Sequence, residues 1–150
     1  LRVQRLNMMK ELRALSKTER FAEPLRLLMT VPGIGQVSGL TILSEIDDIA
    51  RFKDASHLAS YVGIVPMCYS SGEHDGTGNL TVRRHAQLRW LIVESAWIAV
   101  RKDPVLSAAY VEYCRKMKPS KAIIKIARRI INRIYFVMKH QHPYVNCFVS

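Results

Sequence analysis

Two adjacent serines before a glycine, Ser70-Ser71-Gly72, open the most polar stretch of this chain. Residues 66–89 read PMCYSSGEHDGTGNLTVRRHAQLR, with glycines again at 76 and 78 and arginines at 83, 84 and 89. A serine hydroxyl is a weak nucleophile. It attacks a phosphodiester only when it is activated and the phosphate oxygens are neutralised. A glycine-dotted segment can present such a hydroxyl, because Gly72 carries no Cβ to hold a polymer backbone away. Arg83, Arg84 and Arg89 are the candidate phosphate contacts, and His74 and Asp75 lie close enough in sequence to assist the serine. A solvated linker has much the same composition, so the segment alone decides nothing.

A second phosphate-holding pattern lies upstream, in LLMTVPGIGQVSGLTIL, residues 27–43. Pro32 and Gly33 turn the chain sharply. Gly35 lets the backbone approach a partner, and the amides from Gly35 through Gln36 to Val37 open a helix whose dipole is positive at that end. Leu27, Leu28, Val31, Ile34, Leu40 and Ile42 suit a core joining two helices around the turn. Apolar helical runs flanking P-G-I-G resemble a helix-hairpin-helix motif, which grips a DNA backbone without reading bases. The bland alternative is a tight turn between two helices.

The 150 residues carry a formal net charge of +11, with a pI near 10.0, and 49% are apolar. That suits one ordinary domain with a real core, and a polyanion as partner. The charge is uneven: residues 1–20 net +4, residues 21–112 net −2, and residues 113–150 hold nine Lys/Arg and no acid. A polyanion would therefore meet the ends. No apolar run approaches a membrane span, and the first residues have neither a signal core nor an initiator Met, so the chain reads as part of something longer. Cys68, Cys114 and Cys147 are odd in number and widely spaced, which argues against a disulfide framework and a zinc ribbon and fits a reducing cytoplasm. His140 and His142 form an HxH pair with no third ligand evident.

These segments must be positioned by helices. Apolar spacing at Leu6, Met9, Leu12 and Leu15 predicts a helix over 2–20, continuing from upstream, and 21–150 as the domain proper. Further helices are expected over 22–29 with Pro24 in the first turn, from Gln36 to Ile46, from Ala55 to Tyr61 ending at Gly63, and from Arg84 to Arg101. Asp103 as N-cap and Pro104 at the first helical position start the next, to about Met117. The last runs from Pro119 or Ser120 to His140. The fold class is all-α, with a glycine-rich loop or short β-hairpin over 66–82. On the last helix Lys121, Lys125, Arg128, Arg129, Asn132, Arg133 and Lys139 share an arc of about 140°. Isoleucines 123, 124, 126, 130, 131 and 134 fill most of the rest. A cationic face with no acid on it suggests nucleic acid. A membrane-surface helix has a similar moment, but this one has no Trp and closes a folded domain.

The order of these pieces is specific. A PGIG hairpin precedes LASYVGIVP, then YSSG, then GNLTVRRHAQLR and a long apolar helix. Over about residues 25–140 this resembles the C-terminal domain of the IS-one-ten type insertion-sequence transposases, relatives of the Piv DNA invertase. Gly63, Pro66, Ser71, Gly72, Gly78, Thr81, Leu88 and Arg89 match the family pattern. Val82, Arg84 and His85 stand where Lys, Gly and Asn are usual, and Arg83 offers a replacement cation. The resemblance implies a DNA recombinase in which Ser71 forms a phosphoserine link with DNA. It also implies an upstream RuvC-like domain whose acids hold a divalent metal, Mg, and a noncoding guide RNA as a partner. Holding two duplexes implies a dimer or tetramer. This chain has no candidate acidic metal set and needs no cofactor of its own, so binding rather than cleavage is expected of it alone. A purely binding helix-hairpin-helix module and an assembly domain remain alternatives.

Overall fold

The computed structural model describes residues 1–65 and 85–145. Among them are seven α-helices and one 3₁₀ turn, with no strand: α1 (Arg2–Ser16), α2 (Glu19–Leu28), α3 (Gln36–Ile46), the turn Ile49–Arg51, α4 (Ala55–Val62), α5 (Ala86–Lys102), α6 (Pro104–Lys116) and α7 (Pro119–His140). The all-α expectation holds. The serine segment and its suggested hairpin lie outside the described residues.

α7 is the axis of the molecule, packing against α2, α4, α5, α6 and the 3₁₀ turn. Its isoleucines make this possible: Ile123, Ile126, Ile130, Ile131 and Ile134, with Ala122, Ala127 and Val137, are all buried. The six hairpin residues assigned to the core, Leu27, Leu28, Val31, Ile34, Leu40 and Ile42, are buried as well.

Local chemistry sets the boundaries. Asp103 Oδ1 accepts from the amides of Val105 (2.9 Å) and Leu106 (3.4 Å), and Pro104 begins α6. Asp54 caps α4, its Oδ1 accepting from the His57 amide at 2.9 Å and lying 2.8 Å from His57 Nδ1. The hydrogen bond with the His57 side chain holds the Asp54 carboxyl below its ordinary range. Gly63 closes α4 in the left-handed region, at φ 83°.

Two expectations need correction near the start. α1 ends at Ser16, not Lys17–Arg20, because Thr18 adopts an extended conformation and its hydroxyl donates to the Leu15 carbonyl at 2.7 Å. α2 then begins at Glu19, so Pro24 is its sixth residue rather than part of a first turn. The ring removes one backbone donor there, from the bond the Arg20 carbonyl would accept. Burial of Leu25, Leu27 and Leu28 just beyond it and the Arg20–Asp47 ion pair (2.7 Å) hold the helix in place.

The turn between α2 and α3 is pressed against α5. Gly33 has φ 90°, and a Cβ built on it would lie 2.1 Å from the Ser95 carbonyl oxygen and 3.2 Å from Ala99 Cβ. Gly33→Ala is therefore expected to cost about 2–4 kcal/mol, through backbone strain plus displacement of α5. Urea unfolding should show it as a lower midpoint at unchanged slope.

Candidate nucleic-acid interface

Three surfaces hold the proposed contacts. The first is the α2–α3 hairpin. Gly35 is the exposed N-cap of α3, in extended backbone, and a Cβ there would meet nothing within 4 Å. Its own amide is not free: it donates to Ser38 Oγ at 2.8 Å. The amides of Gln36 and Val37 have no carbonyl one turn back in the helix to receive them. The Gln36 side chain is engaged elsewhere, donating through Nε2 to Ser16 Oγ at 2.8 Å and so tying α3 to the end of α1. Gly33 and Gly35 thus divide the work. Gly33 admits the protein's own α5, while Gly35 leaves its outer side open.

The second surface is the polar side of α7, whose expected cationic arc is split by the structure. Lys121, Lys125, Arg129 and Lys139 are exposed. The Lys125 ammonium and the Arg129 guanidinium lie 5.1 and 5.5 Å from the centre of the Tyr113 ring, so α6 supplies an aromatic bed for two cations. Arg128 and Arg133, at the two edges of the arc, turn inward. Arg128 donates to Ser56 Oγ at 2.9 Å and, at 3.5 Å, to the Ile64 carbonyl, lashing α4 to α7. Arg133 donates to Asp103 Oδ2 at 2.7 Å in the one ion pair among the described residues with a fully buried carboxylate, and its guanidinium lies 4.3 Å from the centre of the Tyr144 ring. Arg115 and Lys116 both pair with Glu112, at 3.2 Å each, which lowers the net charge at the end of α6.

The third surface is the root of the serine segment. Ser70, Ser71, Arg83 and Arg84 lie outside the described residues, but both flanks of the segment are placed. Arg89 is exposed on the first turns of α5, beside Gly63 on the far flank. His85, the N-cap of α5, lies against Tyr61, with ring centroids 3.9 Å apart. Sequence reasoning passed over two features here and on α6: Tyr113 beneath the α7 cations, and Arg51 beside Phe52 and Tyr61. The available signal was an aromatic residue in each neighbouring helix, which becomes informative only once the helices are packed. Among the described residues no group of His, Cys, Asp or Glu is gathered to hold a metal ion, and no helix is long and apolar enough to cross a membrane.

The described residues form an all-helical module with cations displayed on one face of its central helix, and comparison identifies its family. Residues 25–111 match the transposase family described as IS116/IS110/IS902, and the chain belongs to that family. It is 29% identical over 134 residues to an uncharacterized 44.8 kDa protein of insertion element IS116 from Streptomyces clavuligerus, covering 87% of this chain and 32% of that protein. It is 29% identical over 121 residues to the pilin gene-inverting protein of Moraxella bovis, covering 79% and 38%. With the transposase of insertion sequence element IS1111A from Coxiella burnetii the identity is 28% over 91 residues, covering 61% and 24%. The chain thus spans about a third of the length of these relatives. No solved structure matches it.

Proposed function

We propose that this chain is the DNA-holding, serine-bearing C-terminal part of a transposase. The observation that carries the DNA reading is the display of Lys125 and Arg129 on one exposed face of α7, over Tyr113, with no carboxylate partner among the described residues. Cations left unpaired by their own domain are suited to phosphates. The α3 N-terminus beyond Gly35 adds a backbone site of helix-hairpin-helix type, which positions DNA and does not read it.

The chemistry is assigned to Ser71 on the strength of the motif order and family membership. Its Oγ attacks a phosphorus of DNA. The Oγ–P bond forms, one P–O bond to deoxyribose breaks, and the serine proton ends on the departing hydroxyl. The resulting phosphoserine diester keeps the bond energy for rejoining. Divalent metal is assigned to acids of an upstream RuvC-like part, and a noncoding RNA, a dimeric or tetrameric working complex and a cytoplasmic site of action belong to the same reading. A binding-only helix-hairpin-helix module is the second reading. It is favoured by the open Gly35 turn and differs in giving Ser71 no role.

DNA binding by this chain, followed by fluorescence anisotropy against salt, tests the interface. Lys125→Gln with Arg129→Gln should reduce the slope of log K on log [salt] by about 2 and act alike on duplexes of any sequence. Gly35→Ala should weaken binding with little loss of stability, under about 1 kcal/mol for a changed N-cap. An unchanged slope in the double variant would remove α7 from the interface. Ser71→Ala, assayed for strand exchange in the complete protein, separates the recombinase from the binding-only module.

A further inference from the structure

Five described arginines already have polar partners within the fold: Arg20 with Asp47, Arg26 with Glu23, Arg115 with Glu112, Arg128 with Ser56, and Arg133 with Asp103. Arg51, the last residue of the 3₁₀ turn, differs from them. Its guanidinium carbon lies 4.9 Å from the centre of the Phe52 ring and 4.8 Å from that of Tyr61, and the guanidinium makes no hydrogen bond or ion pair among the described residues. The rings are themselves fixed. Phe52 is buried, and Tyr135 donates its hydroxyl to the Phe52 and Lys53 carbonyls at 3.3 and 3.0 Å. The Tyr61 hydroxyl donates to the Glu45 carbonyl at 3.3 Å. Tyr61 and Phe52 meet edge to face at 5.2 Å.

The place matters as much as the pinning. Tyr61 also lies against His85, and four residues further along α5 Arg89 comes beside Gly63. Val65 and His85 flank the serine-bearing stretch, so Arg51, on the 3₁₀ turn against Tyr61, and Arg89, on α5 beside Gly63, stand close to where that stretch leaves and rejoins the described residues. Among the described residues His85 Nδ1 is buried without a hydrogen-bond partner, and the ring lies against Tyr61. A guanidinium held against two aromatic rings has lost much of its rotamer freedom already. It still presents N–H donors in the fork that fits a phosphate.

We propose that Arg51, seated on Phe52 and Tyr61, is a phosphodiester-binding residue that works with Arg89 at the root of the serine segment. This deepens, and rests on, the reading of the chain as DNA-holding. It adds a contact on the side of the molecule where the nucleophile is tethered.

Anisotropy titrations of this chain with a duplex oligonucleotide test the contact. Arg51→Gln should lower the salt slope by about 1 and weaken binding roughly 5- to 10-fold at 0.1 M salt. Arg51→Lys, which keeps the charge but not the fork, should fall between. Lys53→Gln, two residues away with no aromatic seat, should lose under about half as much slope. The melting temperature of Arg51→Gln should stay within about 2 °C of wild type, since no ion pair is lost. If Arg51→Gln binds like wild type, or no worse than Lys53→Gln, the proposal is overturned while the DNA reading stands. If the wild-type chain shows no salt-dependent binding, the DNA reading falls and takes this contact with it.

Discussion

Ser71→Ala in the complete protein is expected to abolish strand exchange, by roughly 10³- to 10⁶-fold, as when a covalent nucleophile is removed from other enzymes that depend on one. The change deletes a single oxygen and no charge. DNA affinity should therefore stay within about a factor of two, because the proposed phosphate contacts, Lys125, Arg129 and Arg51 among them, keep their charge. Ser70→Ala is the control and should retain strand exchange, since Ser71 is the serine that directly precedes the glycine. A covalent protein–DNA adduct, trapped by denaturation during the reaction, should form with wild type and with Ser70→Ala and be absent from Ser71→Ala. Retained strand exchange in Ser71→Ala would reduce the chain to its binding role.

The split between binding and chemistry has a counterpart in how the fold is written in the sequence. Helix ends marked by a residue with its own chemistry were readable: Asp103-Pro104, Gly63 and the span from Gln36 to Ile46 fall where local rules place them. Pro24 was misread because its preference for first turns is a tendency, and three buried leucines outweigh the lost hydrogen bond. The helical wheel of α7 found the right faces, yet it treats every position in an arc as equally outward. Arg128 and Arg133 lie at the edges of that arc, where neighbouring helices begin, and there an arginine finds a protein acceptor before it finds a phosphate. Arg51 was invisible for the converse reason. Its platform joins a 3₁₀ turn to α4, and no periodicity links the two.

Asp103 shows how much of the architecture depends on one such acceptor. It is 1% exposed and uses both oxygens: Oδ1 takes the first amides of α6, and Oδ2 takes Arg133 of α7. Asp103→Ala should cost about 3–5 kcal/mol, because it leaves a largely buried guanidinium without its anion and also removes a helix cap. A loss of that size lowers the melting temperature by roughly 10 °C or more for a domain of this length. Asp103→Asn should recover only part of it. An amide offers one acceptor where the site uses two, so either the cap or Arg133 faces an N–H instead. Arg133→Met leaves the carboxylate buried and uncompensated and should be similarly costly. The double variant Asp103→Ser with Arg133→Met keeps a capping oxygen and buries no charge, so it should be more stable than the summed losses of Asp103→Ser and Arg133→Met, each measured alone, by about 2 kcal/mol. Additive losses in that cycle, measured by urea unfolding, would mean that the two ends of the pair act independently. Coupled losses would show that Arg133 and Asp103 stabilise the fold as a pair.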